Sequence, residues 1–286
     1  MYGKASFDAW EEDHPNDLRS TRYCWQCALA EQNYWTVTKY QKLVGAVSFL
    51  GVMNKRLKLF YRGQTKPFLP VPSIFRDRWG GSIPIGDKNW RQFWNELDRI
   101  GARLYHMLYP KANNELSAPR WRELRDVREA RWAVIQHYGL WPTPLIDLTT
   151  NLRIAALFAM DHESAECGKE REGYVYVFGM PSETGSITFD LDQQIVLARL
   201  AAVCPPKAQR PHFQDGFLAG RFPMDVSDPY EDRRFKRLVN KSTPAYRCVA
   251  VLKLVDRGNF WSKDFPIVVA LPCTPRTIPS RRRSPS

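Results

Sequence analysis

The sequence has no apolar run that approaches the ~18 residues needed to cross a bilayer. Its first residues also lack the pattern of a secretory signal, in which a charged start precedes an apolar stretch. Among its cysteines, only Cys24 and Cys27 have the spacing of a metal or redox pair, and no second such pair completes a four-ligand zinc site. The scatter of the other cysteines favours a reducing compartment. We therefore expect a soluble, cytoplasmic protein with structural cysteines and no metal site.

Positively charged residues outnumber negatively charged ones in this sequence. The 286 residues include 42 Lys and Arg against 30 Asp and Glu, a formal net charge of +12. This balance favours a polyanionic partner such as nucleic acid, a phosphate-bearing cofactor or an acidic protein surface, although solubility and a basic tail explain it equally well. The positive residues are spread along the chain, so they do not define one binding patch. Neither the partner nor the oligomeric state follows from charge alone.

The chain divides into three predicted parts. Residues 1–54 are expected to be an N-terminal helical extension, because 22–52 carries aromatic and aliphatic residues at helical spacing. Residues 55–272 are predicted to be an α+β domain with a mixed or antiparallel sheet, since its long helices precede most of its strands. Residues 273–286 are rich in Pro, Ser and Arg, which predicts a disordered basic tail.

Within the α+β domain, hydrophobic periodicity predicts two long helices, at 89–109 and 119–139. Gly139 is a plausible stop for the second. A further helix is predicted from 151 onward. The segment 185–223 is interpreted as a strand, a short helix and a polar segment that ends near "FQDGFLA". Alternating and β-branched residues predict strands, which lie at Lys58–Tyr61, 172–180, 244–255 and 265–273.

The stretch "FYRGQ" at 60–64 ends the first of these strands with an arginine and a glycine. The guanidinium of Arg62 is a rigid fork that suits phosphate or carboxylate. Gly63 allows either a close backbone approach or a positive φ angle. A surface arginine before an ordinary turn glycine would explain the same residues, so the motif alone does not establish a binding site.

A second polar stretch, "QHYGLWPTPLIDLTT" at 136–150, precedes an apolar helix. His137 and Tyr138 are predicted to end the helix before it, where side chains often cap. Asp147, Thr149 and Thr150 are predicted to form the N-cap region of the helix that follows. A helix N-terminus flanked by hydroxyls also suits an anion, so this stretch is either a capped helix start or one wall of a phosphate site.

Together, "FYRG" at 60–63 and "QHYGLWPTPLIDLTTNLRIAALFAM" at 136–160 resemble the FRG domain family, named for an aromatic-Arg-Gly tripeptide. The sequence departs from the family pattern by an extra residue at Trp141, by Pro144 in place of Arg and by Leu148 in place of Trp. The residues of the second block that match the family are Gln136, His137, Tyr138, Gly139, Pro142, Thr143, Asp147, Thr149, Asn151, Ala156, Leu157, Phe158 and Ala159.

The order of these features is similar, more loosely, to that of ADP-ribosyltransferases. The resemblance implies a split sheet, NAD as cofactor, Arg62 as the phosphate ligand and Thr149 as a hydroxyl of the nicotinamide pocket. The cofactor-binding residues that it suggests are Tyr61, Arg62, Gly63, Gln64, Tyr138, Thr149 and Thr150. The catalytic candidates are Arg62, His137, Asp147, Gln214 and Asp215.

The turn "FQDGF" at 213–217 lacks the glutamate that this superfamily uses to stabilise a developing oxocarbenium ion. Gln214 can hydrogen-bond a ribose but supplies no negative charge, whereas Asp215 or Asp147 could supply it. Two alternatives remain open. One is a non-catalytic nucleotide- or nucleic-acid-binding module, and the other is a metal-independent nuclease with His137 as general acid or base. A toxin or defence role would fit a basic protein that modifies nucleic acid, by association only.

Overall fold

The structure is a computed structural model that describes residues 34–68, 70–75, 90–108, 121–161, 170–204, 210–222 and 247–261. Eight strands in these ranges form one sheet. They are β1 (Trp35–Val37), β2 (Lys58–Gln64), β3 (Ile146–Thr149), β4 (Arg171–Met180), β5 (Ile187–Asp190), β6 (Ile195–Arg199), β7 (Gly216–Arg221) and β8 (Cys248–Asp256).

Seven α-helices accompany the sheet in the same ranges, with a short 3-10 turn at Ser73–Phe75. They are α1 (Tyr40–Met53), α2 (Trp90–Leu108), α3 (Trp121–Asp126), α4 (Arg128–His137), α5 (Leu152–Ala159), α6 (Leu200–Val203) and α7 (Arg210–Gln214). None of these helices, within the described ranges, has both the length and the apolar character needed to cross a membrane.

The strands follow the order β1-β8-β4-β2-β3-β7-β6-β5 across the sheet. β1 and β8 pair in parallel, and the other neighbouring strands pair antiparallel, so the sheet is mixed. This confirms the predicted α+β class. The ladder between β2 and β3 is reduced to the single pair Tyr61–Thr149. The sheet is therefore divided into a first half-sheet (β1-β8-β4-β2) and a second half-sheet (β3-β7-β6-β5).

Three apolar clusters hold these layers together. One packs α1 and α5 on the first half-sheet, around Leu43, Leu50 and Ala155. Another packs α2, α3, α4 and α6 on the second half-sheet, around Leu97 and Trp132. The third spans both halves and includes an edge-to-face contact between Phe60 and Phe217, with ring centroids 5.0 Å apart. The halves are thus joined by side chains more than by backbone pairing.

Helix α5 lies unusually close to the first half-sheet because two glycines face it. A Cβ atom on Gly63 would stand 1.9 Å from the Ala155 carbonyl oxygen, and one on Gly173 would stand 2.1 Å from that of Ala159. These distances are far inside van der Waals contact, so no larger residue fits without moving the helix. Of the two explanations for Gly63, close backbone approach is correct.

Several helices and strands differ from those predicted from the sequence. Residues 35–37 form β1 and not helix, because this segment pairs with β8. The predicted helix at 119–139 is broken at Val127, whose extended backbone separates α3 from α4. Arg131 Nη1 donates to the carbonyl oxygens of Leu124 and Arg125 and so satisfies the end of α3.

The polar segment predicted to end near "FQDGFLA" runs into β7, a strand that pairs with both β3 and β6. Strand β2 extends three residues beyond its predicted end at Tyr61 and includes Arg62. The predicted strand at 265–273, the predicted tail at 273–286 and the Cys24–Cys27 pair lie outside the described residues. The domain boundary at residue 54 stays a prediction, with α1 and β1 packed on the first half-sheet.

Candidate functional site

A cavity of about 300 Å³ lies where the two half-sheets separate. One wall comes from β2 and α5 and consists of Tyr61, Arg62, Gly63 and Phe158. The polar groups of the other wall belong to α4, β3 and α7 and are Gln136, His137, Asp147, Thr149, Arg210 and Gln214. Gly139, Leu148, Leu200 and Gly216 complete the lining. The cavity thus combines two arginines, one aspartate and several neutral polar side chains with the apolar surface of Phe158, Leu148 and Leu200.

Arg62 bridges the split in the sheet. Continued antiparallel register would bring Asp147 opposite Gly63, but the ladder stops at Tyr61–Thr149. The Asp147 carbonyl oxygen instead accepts a hydrogen bond from Arg62 Nη1 at 3.0 Å. Arg62 Nε donates to Gln64 Oε1 at 3.1 Å, and the side chain is only 16% exposed. The arginine is therefore fixed in place by a residue on each side of it.

The carboxylate of Asp147 is the anionic group of this cavity. Its Oδ2 lies 3.7 Å from Arg62 Nη1 and accepts a hydrogen bond from Gln136 Nε2 at 3.1 Å. Gln136 is held in turn, since its Oε1 accepts from the hydroxyls of Ser73 and Thr143, both at 2.9 Å. At 49% exposure the carboxylate keeps access to solvent or to a ligand. The network orients it without enclosing it.

His137 ends α4, as predicted, and Gly139 follows with a φ of +62° that glycine accommodates readily. The imidazole is only 5% exposed, and its Nε2 has no hydrogen-bond partner within the described ranges. Burial lowers the pKa of His137 to about 4, the positive charge of Arg210 adds to the lowering, and Asp147 opposes it. His137 is therefore neutral at pH 7.

The residues predicted to form the N-cap region of α5 do not cap that helix. Asp147 and Thr149 belong to β3, and Asn151 caps α5 by accepting hydrogen bonds from the backbone N–H groups of Arg153 and Ile154. The N-cap assignment of Asp147, Thr149 and Thr150 was wrong because β3 pairs with β7 and takes its residues into the sheet.

The two threonines instead connect β3 to the turn at 213–217. The Thr149 hydroxyl donates to the Gln214 carbonyl oxygen at 2.8 Å and accepts from the Asn151 N–H. The Thr150 hydroxyl donates to the carboxylate of Asp215, whose φ is +42°. Thr149 and Gln214 line the cavity, whereas Thr150 and Asp215 do not. Of the two candidate carboxylates, only that of Asp147 faces the cavity.

Three further predicted residues lie in or next to the cavity: Tyr61, Gln64 and Tyr138. Tyr61 lines the cavity, and burial raises the pKa of its hydroxyl to about 12, with a smaller contribution from Tyr40. Gln64 contacts the site through Arg62. Tyr138 is 41% exposed and packs edge-to-face on His137, outside the lining. The structure thus brings most of the predicted side chains to one cavity, while their chemical roles stay predictions.

Sequence reasoning did not single out Gln136 or Arg210 as site residues. Gln136 stood in the matched motif, and only its side-chain contacts show that it positions Asp147. Arg210 begins α7 in "RPHFQ", where no local pattern distinguishes it from other arginines of a basic chain. Its position in the cavity depends on packing between α6 and α7. No cluster of three or more His, Cys, Asp or Glu side chains suited to a metal occurs among the described residues.

Residues 57–167 match the family model of the FRG domain. The chain therefore contains an FRG domain over these residues. The matched segment runs from just before β2 to just beyond α5 and includes Arg62, His137 and Asp147. Gln214, Asp215 and Arg210 lie outside it. No curated protein and no solved structure matches the chain significantly.

Proposed function

We propose that the cavity binds a phosphate-bearing nucleotide, with NAD as the candidate, and that the protein is an ADP-ribosyltransferase-like enzyme. The proposal rests on one observation. Arg62 and Asp147 lie on facing strands at the split, and Arg62 Nη1 is 3.7 Å from Asp147 Oδ2. A guanidinium offers paired donors to a phosphate. A nearby carboxylate offers negative charge to a cation that develops on the sugar.

The size and polarity of the cavity support a nucleotide ligand. Its volume of about 300 Å³ is at the lower end of small-molecule pockets, which suits one half of a dinucleotide with the other half outside. Phe158, Leu148 and Leu200 provide apolar surface for a planar ring, and Arg62 and Arg210 provide positive charge from two sides. These residues fit the nicotinamide ribose phosphate end of NAD.

Bound NAD would supply the ADP-ribosyl group: the bond from ribose C1′ to the nicotinamide nitrogen breaks, nicotinamide leaves with the electron pair, and C1′ bonds to an acceptor whose proton goes to solvent. The side chains of this protein orient the substrate and stabilise the charge that develops on its ribose. Gln136 and Arg62 fix the Asp147 carboxylate, so little reorganisation is needed when charge develops beside it. The acceptor is nucleic acid or protein, and the net charge of +12 suits either a nucleic acid or an acidic protein surface.

The alternative of a nuclease with His137 as general acid or base fits less well. At neutral pH the imidazole is unprotonated, because burial and Arg210 lower its pKa to about 4. A general acid must carry its proton at the working pH, and an imidazole with so low a pKa is a weak general base. Binding without chemistry therefore stands as the main competitor.

The test is to incubate the purified full chain with labelled NAD and either nucleic acid or cell lysate. Arg62→Gln is expected to reduce label transfer at least about tenfold, since hydrogen bonds to charged groups contribute roughly 1.5–3 kcal/mol. Arg221→Gln removes the same charge at the far end of β7 and should transfer label like the wild type. Arg62→Lys, which keeps the charge but loses the fork, separates charge from geometry.

Each competing function gives a different result in this assay. Thermal protection of the fold by NAD without label transfer would identify a binding module. Degradation of RNA in the absence of NAD would identify a nuclease. Label transfer by the wild type that survives Arg62→Gln at full rate would overturn the proposed role of the cavity.

A further inference from the structure

The cavity contains a second polar feature that Arg62 does not account for. His137 Nε2 and Arg210 Nε are both buried, and neither has a hydrogen-bond partner within the described part of the chain. They come from different elements, the end of α4 and the start of α7, and both side chains line the same cavity. Two such groups in one place need an explanation, because buried polar groups are nearly always hydrogen-bonded.

The cost of leaving these two groups unpaired favours a ligand that pairs with them. An unsatisfied buried donor or acceptor costs about 1–3 kcal/mol, and more when the group is charged. The guanidinium of Arg210 is close enough to His137 to disfavour a positive charge on the imidazole. A neutral imidazole beside a guanidinium presents an N–H donor next to a cation, when its proton is on Nε2. That combination suits the oxygens of an anion.

We infer that Arg210 and His137 form a second anion-binding subsite, on the wall facing Arg62, and that the cavity therefore takes a ligand with two linked phosphates. The inference rests on the proposed function for the use of the cavity as a nucleotide site. It deepens that proposal by naming the diphosphate as the recognised group. It also assigns a binding role to Arg210, which lies outside the segment matched to the FRG domain.

The pKa of His137 responds directly to an anion bound in this subsite. The charged groups that face it are Arg210 from α7 and Asp147 from β3, with Arg62 on the β2 wall, and its own helix adds the neighbouring phenol of Tyr138. A phosphate bound to Arg210 adds negative charge next to the imidazole. This raises the pKa of His137 from its low value in the free protein.

The binding experiment uses ADP-ribose as the diphosphate probe and AMP as the monophosphate probe, titrated into the purified full chain by calorimetry. The wild type is expected to bind ADP-ribose at least about tenfold more tightly than AMP. Arg210→Gln is expected to bring the two affinities within about threefold of each other. Arg221→Gln, with the same loss of charge outside the cavity, should keep the wild-type ratio.

The second measurement follows the imidazole protons of His137 by NMR, assigned by their loss in His137→Asn. ADP-ribose should move the titration of His137 in the wild type to higher pH, and it should not do so in Arg210→Gln. This readout on the wild type still decides the question where Arg210→Gln fails to fold. Arg210→Lys, which keeps the charge, should retain part of the movement.

The outcomes separate this inference from the proposed function. If Arg210→Gln binds ADP-ribose like the wild type while Arg62→Gln does not, water satisfies Arg210 and His137 and the second subsite is wrong. If Arg210→Gln weakens ADP-ribose but the wild type transfers no label, the subsite stands and the transferase activity fails. If the wild type binds neither nucleotide, both proposals fail.

Discussion

The two half-sheets are held together in different ways. In the first, β2 pairs with β4 along the full length of β2, β8 pairs with the other side of β4, and α5 packs closely on glycines. The second has no strand as long as β2, β4 or β8, and it relies on α2, α3 and α4, which pack over β6 and β7. The first half contributes one charged side chain to the cavity, Arg62, and the second contributes Asp147 and Arg210.

This difference shows where a sheet can accommodate a site. A continuous ladder uses its backbone groups internally and leaves them unavailable to a ligand. The ladder between the halves stops at Tyr61–Thr149, and from there on side chains make the connections. The cavity lies at that point, so the break in pairing and the candidate site are the same feature of the fold.

The largest expected effect tests the tight packing of the first half. Gly63→Ala places a methyl group 1.9 Å from the Ala155 carbonyl oxygen, and backbone atoms cannot swing aside. We expect the free energy of unfolding in urea to fall by about 4 kcal/mol, beyond the usual cost of overpacking. The matched control is Gly45→Ala on the exposed face of α1, where a Cβ meets nothing within 4 Å. It should gain roughly 0.5–1 kcal/mol. Equal effects would contradict this account of α5.

The next largest expected effect is the dependence of the free energy of unfolding on pH, through His137 at the end of α4. The folded-state pKa of His137 is about 4, below the value of 6.5 for an exposed histidine. Between these values the unfolded chain binds a proton that the folded chain does not, so stability falls as pH drops from 6.5 to 4. It is independent of this group above 6.5.

The shift corresponds to about 3 kcal/mol of stability lost by pH 4. Urea unfolding from pH 7 to pH 4 measures it, and His137→Gln should flatten this part of the profile. His212→Gln, which changes an exposed histidine on α7, should leave the wild-type slope in place. An identical slope in wild type and His137→Gln would show that the imidazole is not held neutral by the fold.

The smallest effect compares the two carboxylates near the split. Asp147→Asn keeps an acceptor for Gln136 but removes the negative charge from the cavity, so label transfer from NAD should fall about 100-fold, or about 2.7 kcal/mol in the barrier. Asp215→Asn should transfer label within about threefold of wild type, because its side chain bonds Thr150 outside the cavity. The reverse order would assign the anionic role to Asp215.

Local sequence was enough for part of this site. The aromatic-Arg-Gly motif and the block from Gln136 to Ala159 identified the FRG domain, and the helix stop at Gly139 followed from its left-handed backbone preference. The strand at Lys58–Tyr61 was predicted from alternation, and β2 contains it. These features depend on a few adjacent residues, so they can be read without the rest of the chain.

Other features depended on contacts that no local pattern encodes. The stretch Asp147–Thr150 has the composition of a helix cap, and pairing with β7 makes most of it a strand instead. β7 was missed because "GFLAGR" is short and glycine-rich, and its place between β3 and β6 stabilises it as a strand. Arg210 looked like any other surface arginine until α7 placed it in the cavity.

The sequence by itself determined the FRG domain, the α+β class and the residue types that a phosphate site needs, because motif, periodicity and charge are local properties. The tertiary structure alone decided which of these residues share a cavity. It brought together Arg62 and Asp147, which are 85 positions apart in the chain, and it turned Asp215 away toward Thr150. The reason is physical: the end of the β2–β3 ladder fixes which side chains replace backbone pairing, and ladder register is a property of the whole sheet.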